Sequence, residues 1–234
     1  MFAGPNGSGK STMKALLPPE LVGIYVNADD IERGIRDEEG HLDLAPFGLV
    51  AVARDLPAFF ASSTLLASAG LREAASAIAV TGARVDFTAV DLKSYHAAVT
   101  ADFIRRNLLA ARATFTFETV MSAHDKVEFL GEAQAAGYRT FLYFVATDDP
   151  MINVARVRRR VAGGGHDVPE DKIVERYDRS LANLAGAVRG ASRAYIFDNS
   201  GPKLQLLAEV ADGRKVVVRQ ERLPHWFDTA LPTG

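Results

Sequence analysis

The chain contains no cysteine. Disulfides, thiolate zinc sites and cysteine nucleophiles are thereby excluded, and a reducing compartment is allowed. Net charge is nearly absent as well, −2 over 234 residues, so no basic field advertises nucleic acid and no acidic tail argues for a mimic of it. There is no uninterrupted apolar run long enough to span a bilayer. There is no basic-then-apolar opening of the kind that directs secretion. The expected setting is cytoplasmic, away from membranes. No repeat or low-complexity linker interrupts the chain, and a single domain is expected over residues 1–234. What is present is ordinary for a globular enzyme or switch: 48% hydrophobic and 24% charged residues.

Short runs rich in Val, Ile, Phe, Tyr and Thr alternate with helical patterns. The expected strands are Val22–Asn27, Thr114–Glu118, Thr140–Ala146 and Ala194–Asp198. Alternation of this kind predicts an α/β fold with a parallel sheet covered on both faces. At the C-terminal end, Leu204–Ala211 and Arg214–Arg219 flank Asp212-Gly213, a hairpin signal that predicts an antiparallel edge. Residues from about 31 to 113 break the alternation. They form an Ala-rich, mostly helical insertion with apolar faces at Leu65, Leu66, Ile78, Phe103, Ile104 and Leu108, interrupted at Gly82, Val85–Phe87 and Val90-Asp91. Two readings of it stay open: a helical subdomain over a sheet edge, or a cap that binds an acceptor.

The stretch Gly4-Pro-Asn-Gly-Ser-Gly9-Lys10-Ser11 fits G-x-x-x-x-G-K-[ST]. Its glycines let successive backbone N–H groups turn inward around phosphates, and a helix beginning there adds its own N–H groups. Lys10 is expected to reach the β and γ phosphates of ATP, and the Ser11 hydroxyl to ligate Mg²⁺. Gly4, Asn6, Gly7, Ser8, Gly9, Lys10, Ser11 and Thr12 are the expected phosphate-binding residues. A loop of this kind follows a strand, yet only Met1-Phe-Ala3 precede Gly4. Typical strands have about five or six residues. An upstream apolar segment is therefore expected to complete the strand beside Thr114–Glu118.

Three carboxylates follow apolar runs: Asp29 after IYVNA, Glu118 after TFTF and Asp198 after YIF. Strand C-termini surround the ligand crevice of such sheets. One carboxylate suits a Mg²⁺-water contact, another the base that accepts a hydroxyl proton. The structural alternative is that Asp29, Asp30 or Ser122 caps a helix. Asp198, in FDNSG, reads as a turn residue, and Asp148-Asp149 before Pro150 as a helix start.

Residues 150–190 carry the densest arginine pattern. Val154, Val157 and Val161 form an apolar stripe, with Arg156, Arg159 and Arg160 opposite and Arg158 beside it. In a second helix Ile173, Tyr177, Leu181, Leu184 and Val188 face a core, while Arg176, Arg179 and Asn183 form another stripe. Gly163-Gly-Gly-His166 joins the two. Charge runs are often only solvated faces. Arginines on both sides of a glycine hinge are also what a phosphate-closing lid requires. His166 reads as a loop hydrogen-bonder rather than a catalyst, and the other histidines lack metal-ligand spacing.

On the stretches AGPNGSGKST, VNADDIE, FTFETVMS, GYRTFLYFVATDDP, RVRRRVAGGGHDVPEDKIVERYDRSLANL and AYIFDNSG, the chain resembles the zeta toxin family of P-loop kinases. That resemblance implies a mononucleotide-kinase-like parallel sheet with helices on both faces. It implies an activity, ATP-dependent phosphorylation of a sugar hydroxyl, with UDP-N-acetylglucosamine the acceptor in the family. It implies that Lys10 and Ser11 serve the nucleotide phosphates and Mg²⁺, and that Asp29 is the catalytic carboxylate. Glu118, with the adjacent Thr119, would meet the acceptor. Arg160 and Arg176 lie in the region of the lid arginines, with a loose match. The resemblance leaves room for an antitoxin protein as partner. The insertion is longer than in short chromosomal relatives, so acceptor specificity does not carry over with the motif. Two alternatives to a small-molecule kinase remain, a non-kinase P-loop ATPase and a nucleic-acid end kinase. The charge of −2 disfavours the latter.

Overall fold

The computed structural model describes residues 1–165 and 167–231. In chain order the elements are β1 (Phe2–Ala3), α1 (Lys10–Lys14), α2 (Pro19–Val22), β2 (Ile24–Val26), α3 (Ala28–Asp37), β3 (His41–Asp43), α4 (Leu56–Ser62), α5 (Thr64–Ser68), β4 (Ala79–Thr81), β5 (Arg84–Asp86), α6 (Ser94–Ala110) and β6 (Phe115–Thr119). After them come α7 (Asp125–Ala135), β7 (Phe141–Ala146), α8 (Pro150–Ala162), α9 (Glu170–Ala182), α10 (Leu184–Arg189), β8 (Arg193–Asp198), β9 (Gln205–Ala211), β10 (Lys215–Val218) and α11 (His225–Ala230). No helix among the described residues is long and apolar enough to cross a membrane.

Seven strands form one sheet in the order β10-β9-β8-β7-β1-β6-β2. Every pairing from β2 through β8 is parallel, and β9 is antiparallel to both of its neighbours. This is the expected α/β sheet closed by a C-terminal hairpin. The hairpin turn takes positive φ at Asp212 (53°) and Gly213 (67°), the pair of left-handed residues for which Asp-Gly is suited. All four residues of β10 are exposed, so the sheet ends there.

Two compact units make up the chain, Met1–Leu21 with Glu118–Gly234, and Val22–Phe117. In the first, β1 has two residues, but both are buried and paired on either side. Phe2 lies opposite Glu118 and Tyr143, and Ala3 opposite Thr119 and Phe144. β7 and β8 end level, Ala146 opposite Asp198. The segments that follow β1, β7 and β8 therefore emerge at one end of the sheet, where parallel sheets bind ligands. Helices α8 and α9 pack through Val154, Val157, Val168 and Ile173, which follows the valine stripe read from the sequence. Asp149 starts α8 as expected, accepting from the Met151 N–H at 2.7 Å, with Pro150 in the first turn.

The second unit holds β2, the helices α3 to α6, and a three-stranded antiparallel sheet in the order β3-β5-β4. The interruptions at Gly82 and Val85–Phe87 in the expected helical insertion are this small sheet and its turn. Its strands have three residues each, too short for a two-residue period to register against the surrounding Ala-rich helical pattern. In α3, Ile31 and Ile35 are buried four residues apart.

His96, in the first turn of α6, is fully buried. Its Nδ1 accepts from the Lys93 N–H at 3.0 Å, while Nε2 is buried with no partner among the described residues. The ring of Phe60 stands edge-on to it at 6.5 Å. Burial holds the imidazole below its ordinary pKa, opposed by the charge of Asp91. The unfolded chain therefore binds this proton at higher pH than the folded one. Stability should be complete above the unfolded value of about 6.5 and fall as pH drops below it. In urea titrations at descending pH, His96→Gln should show a shallower loss of stability below about pH 6.5 than the parent protein.

Candidate active site

The loop 4–9 follows β1 and is built on three glycines with positive φ, Gly4 at 140°, Gly7 at 74° and Gly9 at 107°. Space matters as much as conformation. A Cβ on Gly4 would stand 2.0 Å from the Val145 carbonyl oxygen, one on Gly7 2.7 Å from the Asn153 carbonyl oxygen, and one on Gly9 2.2 Å from Asn199 Nδ2. Gly4→Ala combines left-handed strain with a backbone clash and should cost about 2–5 kcal/mol of stability, read as a lowered urea midpoint.

Five of the loop's six carbonyls have partners among the described residues; that of Gly7 has none. Lys10 Nζ donates to Gly4 O (2.9 Å) and Pro5 O (3.0 Å), Asn153 Nδ2 to Asn6 O (2.6 Å), Asn199 Nδ2 to Ser8 O (2.7 Å), and the Met13 N–H to Gly9 O (3.0 Å). The N–H groups are less committed. Ser8 N–H donates to Pro5 O, but those of Gly7, Gly9, Ser11 and Thr12 meet no acceptor among the described residues. Two buried side-chain oxygens in the loop, Asn6 Oδ1 and Ser8 Oγ, also lack partners. Buried polar groups are normally paired. A loop with most of its acceptors bound and its donors unspent is a nest for an anion. Helix α1 adds little, because five residues carry a small dipole.

Lys10 is buried, and its Nζ also stands 3.9 Å from Glu118 Oε1. Register explains the meeting, since Glu118 lies opposite Phe2 in the strand that leads into the loop. Glu118, expected at the acceptor, is thus beside the phosphate-loop lysine. Thr119 Oγ1 accepts from the Met121 N–H at 2.9 Å and closes a tight turn after β6. Met121 is fully buried with φ 56°, a costly conformation for a side chain of that size, and its carbonyl accepts from Asn183 Nδ2 of the α9–α10 junction at 2.9 Å.

Ser11 and Thr12 are exposed in the first turn of α1. Of the arginines, Arg156 is half-buried and donates through Nη2 to Asn199 O at 2.7 Å. Arg158 pairs with Glu170 across the α8–α9 junction, and Arg179 with Glu175 at 3.4 Å. The exposed Arg160 has its stem against Gly165, where a Cβ would stand 2.5 Å from Arg160 Cγ. Arg176 makes no hydrogen bond or ion pair among the described residues. His166 lies outside the described residues.

Asp198 serves the fold, as its turn context implies: it accepts from Ser200 N–H (2.9 Å), Ser200 Oγ (2.7 Å) and Trp226 Nε1 (3.0 Å). Asn153 and Asn199 were not legible as site residues. Asn153 is a fully buried amide inside the valine stripe, and that misplaced polarity was the one available signal.

In the second unit, helix α3 is capped by Asn27, whose Oδ1 accepts from the Asp29 N–H at 2.9 Å. Neither Asp29 nor Asp30 is the cap. Asp30 pairs with Arg33 at 2.5 Å, whereas the exposed Asp29 carboxylate makes no hydrogen bond or ion pair among the described residues.

No protein-family profile matches the chain. Over 63 residues, 27% of this chain and 45% of the other, it is 30% identical to an uncharacterized protein of Haemophilus influenzae (strain ATCC 51907 / DSM 11121 / KW20 / Rd). Among solved structures it is similar to a chain of the AvrRxo1-ORF1:AvrRxo1-ORF2 complex crystallised with sulphate ions, at a TM-score of 0.52 and 13% identity over 93% of this chain and 60% of that one. The same complex with ATP gives 0.53 and 13% over 93% and 59%. The chain thus spans about 60% of the length of these solved chains and under half of the curated relative. At that level of identity the likeness shows the fold alone, a mostly parallel α/β sheet with helices.

Proposed function

We propose that this protein is an ATP-dependent kinase of the zeta-toxin type, acting on a hydroxyl of a small molecule, with a nucleotide sugar such as UDP-N-acetylglucosamine as the leading acceptor. The observation that carries the nucleotide half of this reading is the loop 4–9, where the carbonyls of Gly4, Pro5, Asn6, Ser8 and Gly9 are bound while the N–H groups of Gly7, Gly9, Ser11 and Thr12 stay unspent among the described residues. Anionic oxygens complete such a set of donors. The ATP in one similar solved structure supports the same nucleotide here.

Lys10 balances phosphate charge from within the loop, and the Ser8 hydroxyl supplies a further buried donor. The Ser11 hydroxyl, exposed in the first turn of α1 beside the loop's free N–H groups, would hold a Mg²⁺ ion together with nucleotide oxygens and water. When bound, Mg²⁺ neutralises charge on the phosphate oxygens. Asp29 takes the proton of the acceptor hydroxyl as its oxygen bonds to the γ-phosphorus and the bond to the ADP oxygen breaks. Its carboxylate is uncommitted, which a base requires. Glu118 and Thr119, at the end of β6, orient the acceptor. Incubation with Mg-ATP and a panel of nucleotide sugars, simple sugars and oligonucleotide ends, read by mass, tests the reading. A nucleotide sugar should gain one phosphoryl group; gain only on oligonucleotide ends, or hydrolysis alone, would overturn the acceptor class.

Arg160 and Arg176 act in this reading as lid arginines, which stabilise charge spread over the transferring group. Arg160→Ala and Arg176→Ala should then lower kcat about 10-fold or more with a smaller rise in the KM for ATP. Steady-state kinetics decides, and an effect on KM alone returns both to a solvated face. A partner protein, as in the AvrRxo1-ORF1:AvrRxo1-ORF2 complex, is part of the proposal.

A further inference from the structure

Resting on the nucleotide-binding reading, we infer that Asn153 and Asn199 are positioning residues that hold the phosphate loop in its donor-inward shape. Each asparagine pins one peptide. Asn153 Nδ2 holds Asn6 O at 2.6 Å, and that peptide's N–H belongs to Gly7. Asn199 Nδ2 holds Ser8 O at 2.7 Å, and that peptide's N–H belongs to Gly9. A glycine on the C-terminal side of a peptide is the residue best able to let it flip, because it accepts either sign of φ. Released, these two peptides could turn their carbonyls inward and their N–H groups out, replacing donors by acceptors where an anion must sit. The loop's glycines therefore make the anion-binding shape possible, and the asparagines select it.

Both amides are themselves fixed. Asn153 is fully buried in α8, and its Oδ1 accepts from the Thr147 hydroxyl, so the NH₂ must face the loop. Thr147 is held in turn by the Tyr177 hydroxyl of α9, which donates to Thr147 O at 2.6 Å. Burial, reinforced by Asp148 and Asp178, pushes the Tyr177 phenol up and keeps it a donor. Asn199 is fixed by its own N–H to Ala146 O (2.8 Å) and by Arg156 Nη2 to its carbonyl (2.7 Å). The close fits agree: a Cβ on Gly7 would meet Asn153 O, and one on Gly9 would meet Asn199 Nδ2. The loop thus shares two supports with α8, one direct and one through Arg156.

The test is calorimetric binding of Mg-ATP to the parent protein and to Asn153→Ala, Asn199→Ala and Asn199→Asp, with circular dichroism to confirm folding and kinetics where turnover is measurable. Each alanine variant should bind Mg-ATP on the order of 10- to 100-fold more weakly, the effect of leaving a buried carbonyl unpaired and mobile. At saturating ATP, kcat should fall much less, since the support acts on loop shape rather than on the reacting atoms. Asn199→Asp separates this role from simple packing. It fills nearly the same space, but at about pH 7.5 its carboxylate cannot donate to Ser8 O. It should therefore bind Mg-ATP at least as weakly as Asn199→Ala, although its packing is kept. Because Asn199 is half-buried, it carries the test if Asn153→Ala fails to fold. Alanine variants that bind within about twofold of the parent, against the loss expected for an unpaired carbonyl, would overturn the inference, as would an aspartate variant that binds like the parent. A parent protein that does not bind Mg-ATP would sink the nucleotide reading and this inference with it.

Discussion

Lys10→Ala should abolish phosphoryl transfer and weaken ATP binding on the order of 10- to 100-fold, the value of charge-assisted hydrogen bonds to a bound anion. Lys10 is buried, its ammonium lies on Gly4 O and Pro5 O, and Glu118 stands 3.9 Å away. That position makes it the one cation built into the loop itself. Its removal leaves the negative Glu118 beside the phosphate site without its neighbour's charge, so the loss of ATP affinity includes repulsion as well as a missing attraction. The transition state loses more than the ground state, because charge shifts onto the oxygens that Lys10 faces. The secondary structure should survive, since the loop keeps its anchors from Asn153 and Asn199. Calorimetry, a coupled ADP assay and a thermal melt measure the three effects. Unchanged ATP turnover would remove the kinase reading.

Asp29→Asn should leave ATP affinity equal or slightly tighter and reduce transfer to the acceptor by ~10²–10⁴-fold, the usual contribution of a positioned general base. A hydroxyl is a poor nucleophile until its proton has somewhere to go. A carboxylate that is neither a helix cap nor half of an ion pair is suited to receive it, and Asn27 takes the capping role that would otherwise occupy Asp29. The amide is nearly the same shape but is not a base. Asp30→Asn is the internal control. Asp30 is paired with the exposed Arg33, so its loss should change transfer by less than about twofold, in keeping with the small worth of surface ion pairs. Product formation and ATP calorimetry on both variants decide the assignment. Normal transfer by Asp29→Asn, or loss of ATP binding instead, would require another base, and Glu118 would be the first to try.

Features that depend on near neighbours in the chain were legible without a structure. Three glycines at fixed spacing before Lys10 and Ser11 dictate a loop with positive φ, because no other residue enters that region cheaply. Asp149-Pro150 starts α8 through a bond two residues long. The stripe of Val154 and Val157 is a matter of helical period, and Asp212-Gly213 turns the terminal hairpin through its own dihedral preferences. The parallel sheet followed from alternation of the same local patterns.

What the local pattern could not carry was contact between residues far apart. Asn153 reaches Asn6 across 147 positions and Asn199 reaches Ser8 across 191, and no spacing rule links an amide in a valine stripe to a carbonyl in a glycine loop. The approach of Glu118 to Lys10 is likewise set by strand register, which no local pattern carries. The small sheet of β3, β5 and β4 was hidden because three-residue strands are stabilised by their partners rather than by their own sequence. Sequence alone therefore determined that a glycine loop with left-handed turns forms before Lys10, since backbone dihedrals are a local property. Only the tertiary structure decided which way its peptides face, because that choice rests on hydrogen bonds closed by folding.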